Sequence, residues 1–171
     1  LDVNVGLPGI DETKLLTDAV CELQCVTDLP LQIDSSDPVA MESALRRYNG
    51  KAMINSVNGK EKSMKAIFPL VQKYGGFIVA LTLDESGIPT SADGRLKIAE
   101  KILSTAAQYG IERKDIIFDP LAMAVSADRS AASVTLETVR RITDELHCHT
   151  SLGVSNISFG LPSRELVNAA F

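Results

Sequence analysis

Six short apolar runs alternate with helical patterns along this chain, and this alternation limits the folds open to it. The runs start near Leu1, Leu31, Lys51, Phe77, Asp115 and Thr150. Between consecutive runs, apolar residues recur at helical spacing, and every interval has room for a helix and two loops. The runs are apolar at successive positions, which is typical of strands covered on both faces. The sequence therefore predicts six β/α units in a parallel sheet.

Residues that start or stop helices support these units. Asp37 followed by Pro38 predicts an N-cap with proline at the first helical position, and Asn49-Gly50 predicts the end of that helix. Pro69 lies inside the helical pattern over about 60–74. An interior proline costs ~3 kcal/mol, so we expect a kink there or a helix that starts late.

Four of the predicted strands end on a carboxylate or amide side chain. These residues are Asp34, Asn55, Asp119 and Asn156. In parallel α/β proteins the carboxyl ends of the strands open onto one face, and that face holds the site. The pattern therefore predicts that these four side chains converge on one polar, acidic pocket.

Two architectures contain units of this kind, an open doubly wound sheet and a (β/α)8 barrel. The segment Asn4–Gly9 after the first run has neither dinucleotide-binding glycine spacing nor a P-loop lysine. Polar residues end nearly every strand, which favours a ring of strands over a single switch point. A complete barrel needs ~250 residues. We therefore predict a single α/β domain over residues 1–171, a TIM barrel truncated to about six β/α units.

Composition and charge exclude several classes of protein. The chain has 171 residues, 45% of them hydrophobic and 23% charged, as in globular domains. Its net charge of -5 and lack of a basic block argue against nucleic acid or an anionic membrane as partner. The three cysteines are an odd number, which favours a reducing cytoplasm over a disulfide framework. Because the chain starts at Leu1, we expect it to be a segment of a longer protein.

The residue types at the strand ends restrict the ligand. Any one of them could serve only as a turn or cap residue, since Asp and Asn are common after strands. Together, two carboxylates need a ligand that offers donors or positive charge. A flat heterocycle with an amino group and ring N–H groups on one edge meets this need, because a carboxylate only accepts. A divalent metal bound by oxygen ligands is the alternative.

Two other motifs could carry chemistry. The successive residues His147, Cys148 and His149 cannot easily converge on one tetrahedral zinc ion. Termination of a helix at the surface by the two histidines is the better interpretation. Asp84-Glu85 forms either a simple loop or the edge of the site.

Five segments, in order, resemble the pterin-binding barrel of methyltetrahydrofolate-dependent methyltransferases. They are Leu1–Gly6, Ile33–Ser36, Met53–Ser56, Phe118–Leu121 and Leu152–Pro162. This family includes the folate domain of cobalamin-dependent methionine synthase and the acetogen enzyme that serves a corrinoid iron–sulfur protein. The resemblance covers essentially the whole chain. It implies that the first barrel strand precedes Leu1 and that the eighth follows Phe171.

The resemblance also implies roles for individual residues. Asp34, Asn55 and Asp119 match residues that hold the donor-rich edge of the pterin, and Asn156 matches the residue beside N5, which bears the methyl group. Further pterin-binding candidates are Asn4, Gly153 and Ser155. Methyltetrahydrofolate is the implied methyl donor. The implied acceptor is a cobalamin or other corrinoid held by another domain or protein, and the chain itself is expected to bind no metal. A homodimer is left open.

Within this family the chain looks most like the folate domain of methionine synthase, and three alternatives remain. One is the acetogen-type methyltransferase, and another is a folate-binding module without turnover of its own. Dihydropteroate synthase shares the barrel, but its Asp-Pro-Gly and Ser-Arg-Lys motifs are replaced here by Asp119-Pro120-Leu121 and Ser155-Asn156-Ile157. Both replacements remove cations that a diphosphate leaving group would require.

Overall fold

The computed structural model describes residues 1–171 and contains one six-stranded parallel sheet. The strands are β1 (Asp2–Asn4), β2 (Gln32–Asp34), β3 (Ala52–Asn58), β4 (Gly76–Leu81), β5 (Ile116–Asp119) and β6 (His149–Thr150). Each strand is hydrogen-bonded to the next in strict chain order. A doubly wound sheet reverses its strand order at a switch point, whereas a barrel does not. The six predicted strands and the truncated barrel are thus confirmed. Two of the predicted strand ends are wrong, because β3 continues past Asn55 to Asn58 and β6 ends at Thr150, before Asn156.

A helix follows every strand. The helices are α1 (Glu12–Val26), α2 (Pro38–Leu45), α3 (Glu61–Tyr74), α4 (Ala92–Gln108), α5 (Ala131–Asp144) and α6 (Arg164–Ala170). Two short 3-10 helices, Arg113–Asp115 and Val154–Ser158, precede β5 and follow β6. No helix combines the length and the apolar character that a membrane span requires.

The two faces of the sheet differ in burial. Residues such as Val3, Ile33 and Phe118 are buried and belong to a core cluster of 30 residues that the strands share with the helices. Their neighbours in sequence, which point to the other face, are half-buried or exposed. This second face is the inside of the barrel, where no helix packs on the six strands. The helices of a barrel cover only the outside of the sheet.

The predicted start of helix α2 is confirmed, and its predicted end is wrong. The side chain of Asp37 caps the helix by accepting a hydrogen bond from the Val39 N–H at 2.9 Å, and Pro38 occupies the first turn. Helix α2 ends at Leu45, so the predicted stop at Asn49-Gly50 lies beyond the true end.

Helix α3 runs without interruption through Pro69, so the predicted late start is wrong. Its apolar face, which includes Met64, Phe68 and Val71, is buried in the core. Each such side chain contributes ~1.5–3 kcal/mol on burial, and several together exceed the ~3 kcal/mol cost of an interior proline. Tertiary packing therefore outweighs the local preference.

The His147–His149 segment does not end a helix in the predicted way. His149 belongs to β6, and Cys148 is buried in the core. Of the two histidines, only His147 lies between α5 and β6, and it is exposed with a φ of 51°. No three His, Cys, Asp or Glu side chains are grouped as a metal ion would require.

Gly59, just after β3, has no room for a side chain. A Cβ atom there would lie 2.6 Å from Ile98 Cγ2 and 2.9 Å from the Leu83 carbonyl oxygen. We expect Gly59→Ala to lower the free energy of unfolding by about 1–3 kcal/mol, because the backbone on one side cannot move away cheaply. Urea unfolding measures this. Gly6→Ala is the matched control, since its nearest contact would be an ordinary 3.5 Å; equal losses for both variants would contradict the packing argument.

Candidate functional site

Three polar residues from the first three strands form one row at the carboxyl edge of the sheet. Asn4 is aligned with Asp34, and Asp34 is aligned with Asn55. Asn4 Nδ2 donates a hydrogen bond of 3.0 Å to Asp34 Oδ2, and Asn4 Oδ1 accepts one of 3.1 Å from the Gly6 N–H. Asn4 therefore orients the Asp34 carboxylate and leaves its other oxygen, Oδ1, free to bind a ligand.

A β-bulge in β3 extends this polar face. Asn55 is aligned with Val79 and Val57 with Ala80, so Ser56 is an extra residue without an aligned partner. The bulge changes the alternation of side chains. Val57 is consequently fully buried against the helices, while Asn55 and Asn58, three positions apart, both face the cavity described next.

A cavity of about 430 Å³ opens beside this row. Its lining residues are Asp34, Ser35, Ser36, Pro38, Asn55, Ser56, Asn58, Lys60, Lys62, Ser63, Ala66 and Ile67. The side-chain amide of Asn55 makes no hydrogen bond within the protein, so both its acceptor and its donors are available. The cavity thus offers an acceptor-only carboxylate next to an amide that accepts and donates.

Asp119, at the end of β5, lies on the same face of the sheet. Val79 links Asn55 to Ile117 in register, and Asp119 is two residues beyond Ile117. Asp119 Oδ1 accepts a hydrogen bond of 2.8 Å from the Leu121 N–H. Burial raises the pKa of this carboxyl, and the Leu121 N–H and the nearby positive charge of Arg95 oppose that rise.

The side chain of Arg95 connects the loops that surround Asp119. This side chain of α4 is only 2% exposed. Its Nη1 donates to the carbonyl oxygens of Pro120 at 2.7 Å and Leu121 at 2.9 Å, and its Nε donates to that of Pro89 at 3.0 Å. A further bond of 3.3 Å reaches the Thr135 hydroxyl of α5. One guanidinium therefore fixes the loops after β4 and β5.

Asn156 lies in the 3-10 helix after β6 and is exposed. Its side chain passes close to Gly153, where a Cβ atom would lie 3.2 Å from Asn156 Nδ2. Arg164 supports the turn by donating a 2.8 Å bond to the carbonyl oxygen of Ser155. The Ser126 hydroxyl donates to the Phe159 carbonyl oxygen at 2.7 Å, which joins this turn to the loop after β5.

The predicted site residues are therefore only partly brought together. Asp34 and Asn55 share the cavity, and Asn4 is bonded to Asp34. Asp119 and Asn156 lie at the same edge of the sheet without lining this cavity, as do Gly153 and Ser155 beside Asn156. The convergence of all of them on one ligand stays a prediction.

Asp84 and Glu85 lie outside this cavity. Glu85 Oε1 accepts a hydrogen bond of 2.7 Å from the Glu61 N–H at the start of α3. Asp84 lines a separate cavity of about 410 Å³ beside the loop after β4. Of the two interpretations offered for this segment, the arrangement favours the loop.

Sequence reasoning missed the cations of the site. Lys60 and Lys62 line the cavity, and neither was among the predicted site residues. Arg95 was also missed, although its spacing from other residues of α4 indicates that it is buried. It continues the buried face of α4 that includes Ala99 and Ile102, and an arginine on such a face requires partners.

Comparisons with known proteins identify the family of this chain. A family described as pterin binding enzyme matches residues 6–171. The methionine synthase of Mycobacterium tuberculosis is 30% identical over 180 residues, which cover 98% of this chain and 15% of that protein. The methylcorrinoid:tetrahydrofolate methyltransferase of Eubacterium limosum is 29% identical over 176 residues, which cover 100% of this chain and 64% of that protein.

The fold has a counterpart among solved structures. The 7,8-dihydropteroate synthase from Vibrio fischeri ES114 superposes with a TM-score of 0.63 at 16% identity, over 88% of this chain and 56% of that one. At this identity the likeness concerns the fold alone. The chain belongs to the pterin-binding enzyme family. Its sequence relatives are a methionine synthase and a methylcorrinoid methyltransferase, which confirms the resemblance to the corrinoid-linked members of that family.

Removal of Arg95 should destabilise the protein strongly. Arg95→Met removes the donor to three carbonyl oxygens, of which that of Pro120 is buried, so we expect the free energy of unfolding to fall by about 2–4 kcal/mol. Arg140→Met is the control, because Arg140 is exposed and its ion pairs should contribute less than about 1 kcal/mol. Chemical denaturation of both variants measures the difference. Similar small losses would show that Arg95 is dispensable to the loops.

Proposed function

We propose that this chain binds methyltetrahydrofolate and positions its N5-methyl group for transfer to a corrinoid. The observation that carries the proposal is the row Asn4–Asp34–Asn55, which presents a fixed carboxylate and an unpaired amide to one cavity. Membership of the pterin-binding enzyme family and the names of the sequence relatives support the ligand class.

The edge of a reduced pterin fits this row chemically. It carries an amino group and ring N–H groups, which are donors, beside a carbonyl oxygen, which accepts. In the proposal, Asp34 Oδ1 and the Asp119 carboxylate accept from the donors. The Asn55 amide can both accept and donate, so it binds where a donor of the pterin lies next to the pterin carbonyl oxygen. Because a carboxylate cannot donate, this arrangement selects against ligands with an anionic edge.

Asn156 is proposed to act at N5. N5 takes a proton from water, and its bond to the methyl carbon then breaks heterolytically. The electron pair of that bond stays on N5 as a lone pair, so the product is a neutral amine. The methyl carbon forms its new bond to the Co(I) of the corrinoid, which is formally oxidised to Co(III). An amide that donates to N5 as charge changes there would lower the barrier without itself ionising.

The corrinoid is proposed to reside on another domain or protein. The chain spans 64% of the methyltransferase but only 15% of the methionine synthase, and the remaining length of the methionine synthase has room for a corrinoid-binding unit. The final acceptor is proposed to be homocysteine, as in methionine synthase, with the corrinoid iron–sulfur protein as the alternative. A cytoplasmic location suits the three free cysteines. Assembly as a homodimer remains open.

Dihydropteroate synthesis is the second candidate, and one observation favours it. Lys60 and Lys62 supply cations at the cavity, which a diphosphate leaving group could use. The sequence relatives, however, are linked to methyl transfer, and the cationic motifs after β5 and β6 are absent. Formation of dihydropteroate from a pterin diphosphate and p-aminobenzoate by the full chain would decide for this candidate.

Asp119→Asn should weaken pterin binding without reducing stability. We expect a loss of affinity of roughly tenfold to a hundredfold, because a charge-assisted hydrogen bond to the pterin is lost. Burial raises the pKa of Asp119 in the folded chain, so ionisation costs stability as pH rises through that pKa. The amide removes this cost, and the free energy of unfolding at pH 7 should be equal or higher.

Calorimetric titration with methyltetrahydrofolate and denaturation at pH 5–8 measure the two effects of Asp119→Asn. Asp144→Asn on the exposed face of α5 is the control and should change neither quantity. Parallel losses of binding and stability in Asp119→Asn would mean that the carboxylate is structural.

Asn156→Ala should separate catalysis from binding. We expect the rate of methyl transfer to fall about 10²-fold while folate affinity changes little, because the amide acts mainly as the C–N bond breaks. Spectroscopic assay with a reduced corrinoid in the presence of the full chain measures the rate. Asn49→Ala, before β3 at the opposite edge of the sheet, is the control. Equal losses in rate and affinity for Asn156→Ala would refute the N5 role.

A further inference from the structure

Two lysines at the cavity have no carboxylate partner in the protein. Six lysines of the chain form ion pairs, whereas Lys60 and Lys62 form none. Both line the cavity that holds Asp34 and Asn55. In a chain with a net charge of -5, two unpaired ammonium groups that line the same cavity suit an anionic part of the ligand.

The backbone that carries these lysines is rigid. The Asn58 N–H donates to Ser63 Oγ at 3.1 Å, and Asn58 Oδ1 accepts from the Lys60 N–H at 3.0 Å. Gly59 is held on both sides, by a bond of 2.8 Å from its N–H to the Leu83 carbonyl oxygen and one of 2.6 Å from Lys101 Nζ to its own carbonyl oxygen. The lysine side chains remain free to move, so binding of an anion orders these side chains but costs little backbone entropy.

The charges of the cavity are divided between two ends. Asp34 and the polar end of β3 supply acceptors and amides at the sheet, and the lysines supply cations where α3 begins. A ligand that matches both ends has donors on one side and carboxylates on the other. A reduced pterin that carries a benzoyl-glutamate tail has this distribution of charge.

We propose that Lys60 and Lys62 form a subsite for the glutamate carboxylates of the folate tail and favour folates with more than one glutamate. The inference rests on the proposed function, since the pterin end must occupy the row at Asp34. Each added glutamate brings a carboxylate within reach of a flexible ammonium group. The attraction is therefore electrostatic and weakens with salt.

The test compares three ligands on the full chain by calorimetry. They are methyltetrahydrofolate with three glutamates, methyltetrahydrofolate with one glutamate, and a methylated tetrahydropterin without the benzoyl-glutamate tail. The variant K60M/K62M keeps the aliphatic stems and removes both charges. Lys97→Met is the control, because Lys97 is also without an ion pair but lines the separate cavity beside the loop after β4.

K60M/K62M should bind the triglutamate about tenfold more weakly than the unchanged chain does. Its affinity for the monoglutamate should fall less, and its affinity for the tail-less pterin should not change. The difference between the unchanged chain and the variant should shrink as salt rises from 0.05 to about 0.5 M. Equal losses for all three ligands, or no loss for the triglutamate, would overturn the subsite.

A second probe separates this inference from the pterin proposal. p-Aminobenzoyl-triglutamate lacks the pterin and should bind the unchanged chain weakly and K60M/K62M not at all. Failure of the tail-less pterin to bind would refute the pterin role of Asp34 and Asn55, whereas failure of p-aminobenzoyl-triglutamate to bind would refute the lysine subsite. If pyrophosphate binds and p-aminobenzoyl-triglutamate does not, the glutamate subsite is also refuted, and the lysines are assigned to a diphosphate.

Discussion

The site depends on a parallel hydrogen-bond ladder that follows chain order through all six strands. Because neighbouring strands run the same way, aligned residues point to the same face and every strand ends at the same edge. This ladder places Asn4, Asp34 and Asn55 side by side although long stretches of sequence separate them. Side-chain bonds refine the row, but the backbone pairing creates it.

Most of the fold could be predicted because its signals are local. Runs of apolar residues, helical spacing and the Asp37-Pro38 cap reflect only neighbouring residues. The predictions that are wrong concern segments whose structure depends on contacts with residues distant in the sequence. Helix α3 tolerates Pro69 because its buried face packs on the sheet, and His149 joins β6 by pairing with Ile117. Neither contact can be read from the residues on either side.

The sequence predicted the polar residues at the strand ends of the candidate site, but it did not predict the lysines that line the cavity. Asp34 and Asn55 end apolar runs, so their shared edge follows from the architecture. The bulge at Ser56 depends on how β3 pairs with β4, and it determines that Asn58 joins the cavity face. Lys60 is the N-cap of α3 and Lys62 lies in its first turn. Helical periodicity shows which face of α3 is apolar, but it does not show that the start of this helix borders the strand-end cavity.

The buried guanidinium of Arg95 has a consequence for how such a protein can diverge. Pro89, Pro120 and Leu121 all bond to it through backbone oxygens, so their side chains can vary while their main-chain path cannot. An insertion in the loop after β4 would strain the loop after β5 through this shared donor. The two loops are therefore expected to co-adapt in length, and new substrate preferences should arise more readily at α3, away from this tether.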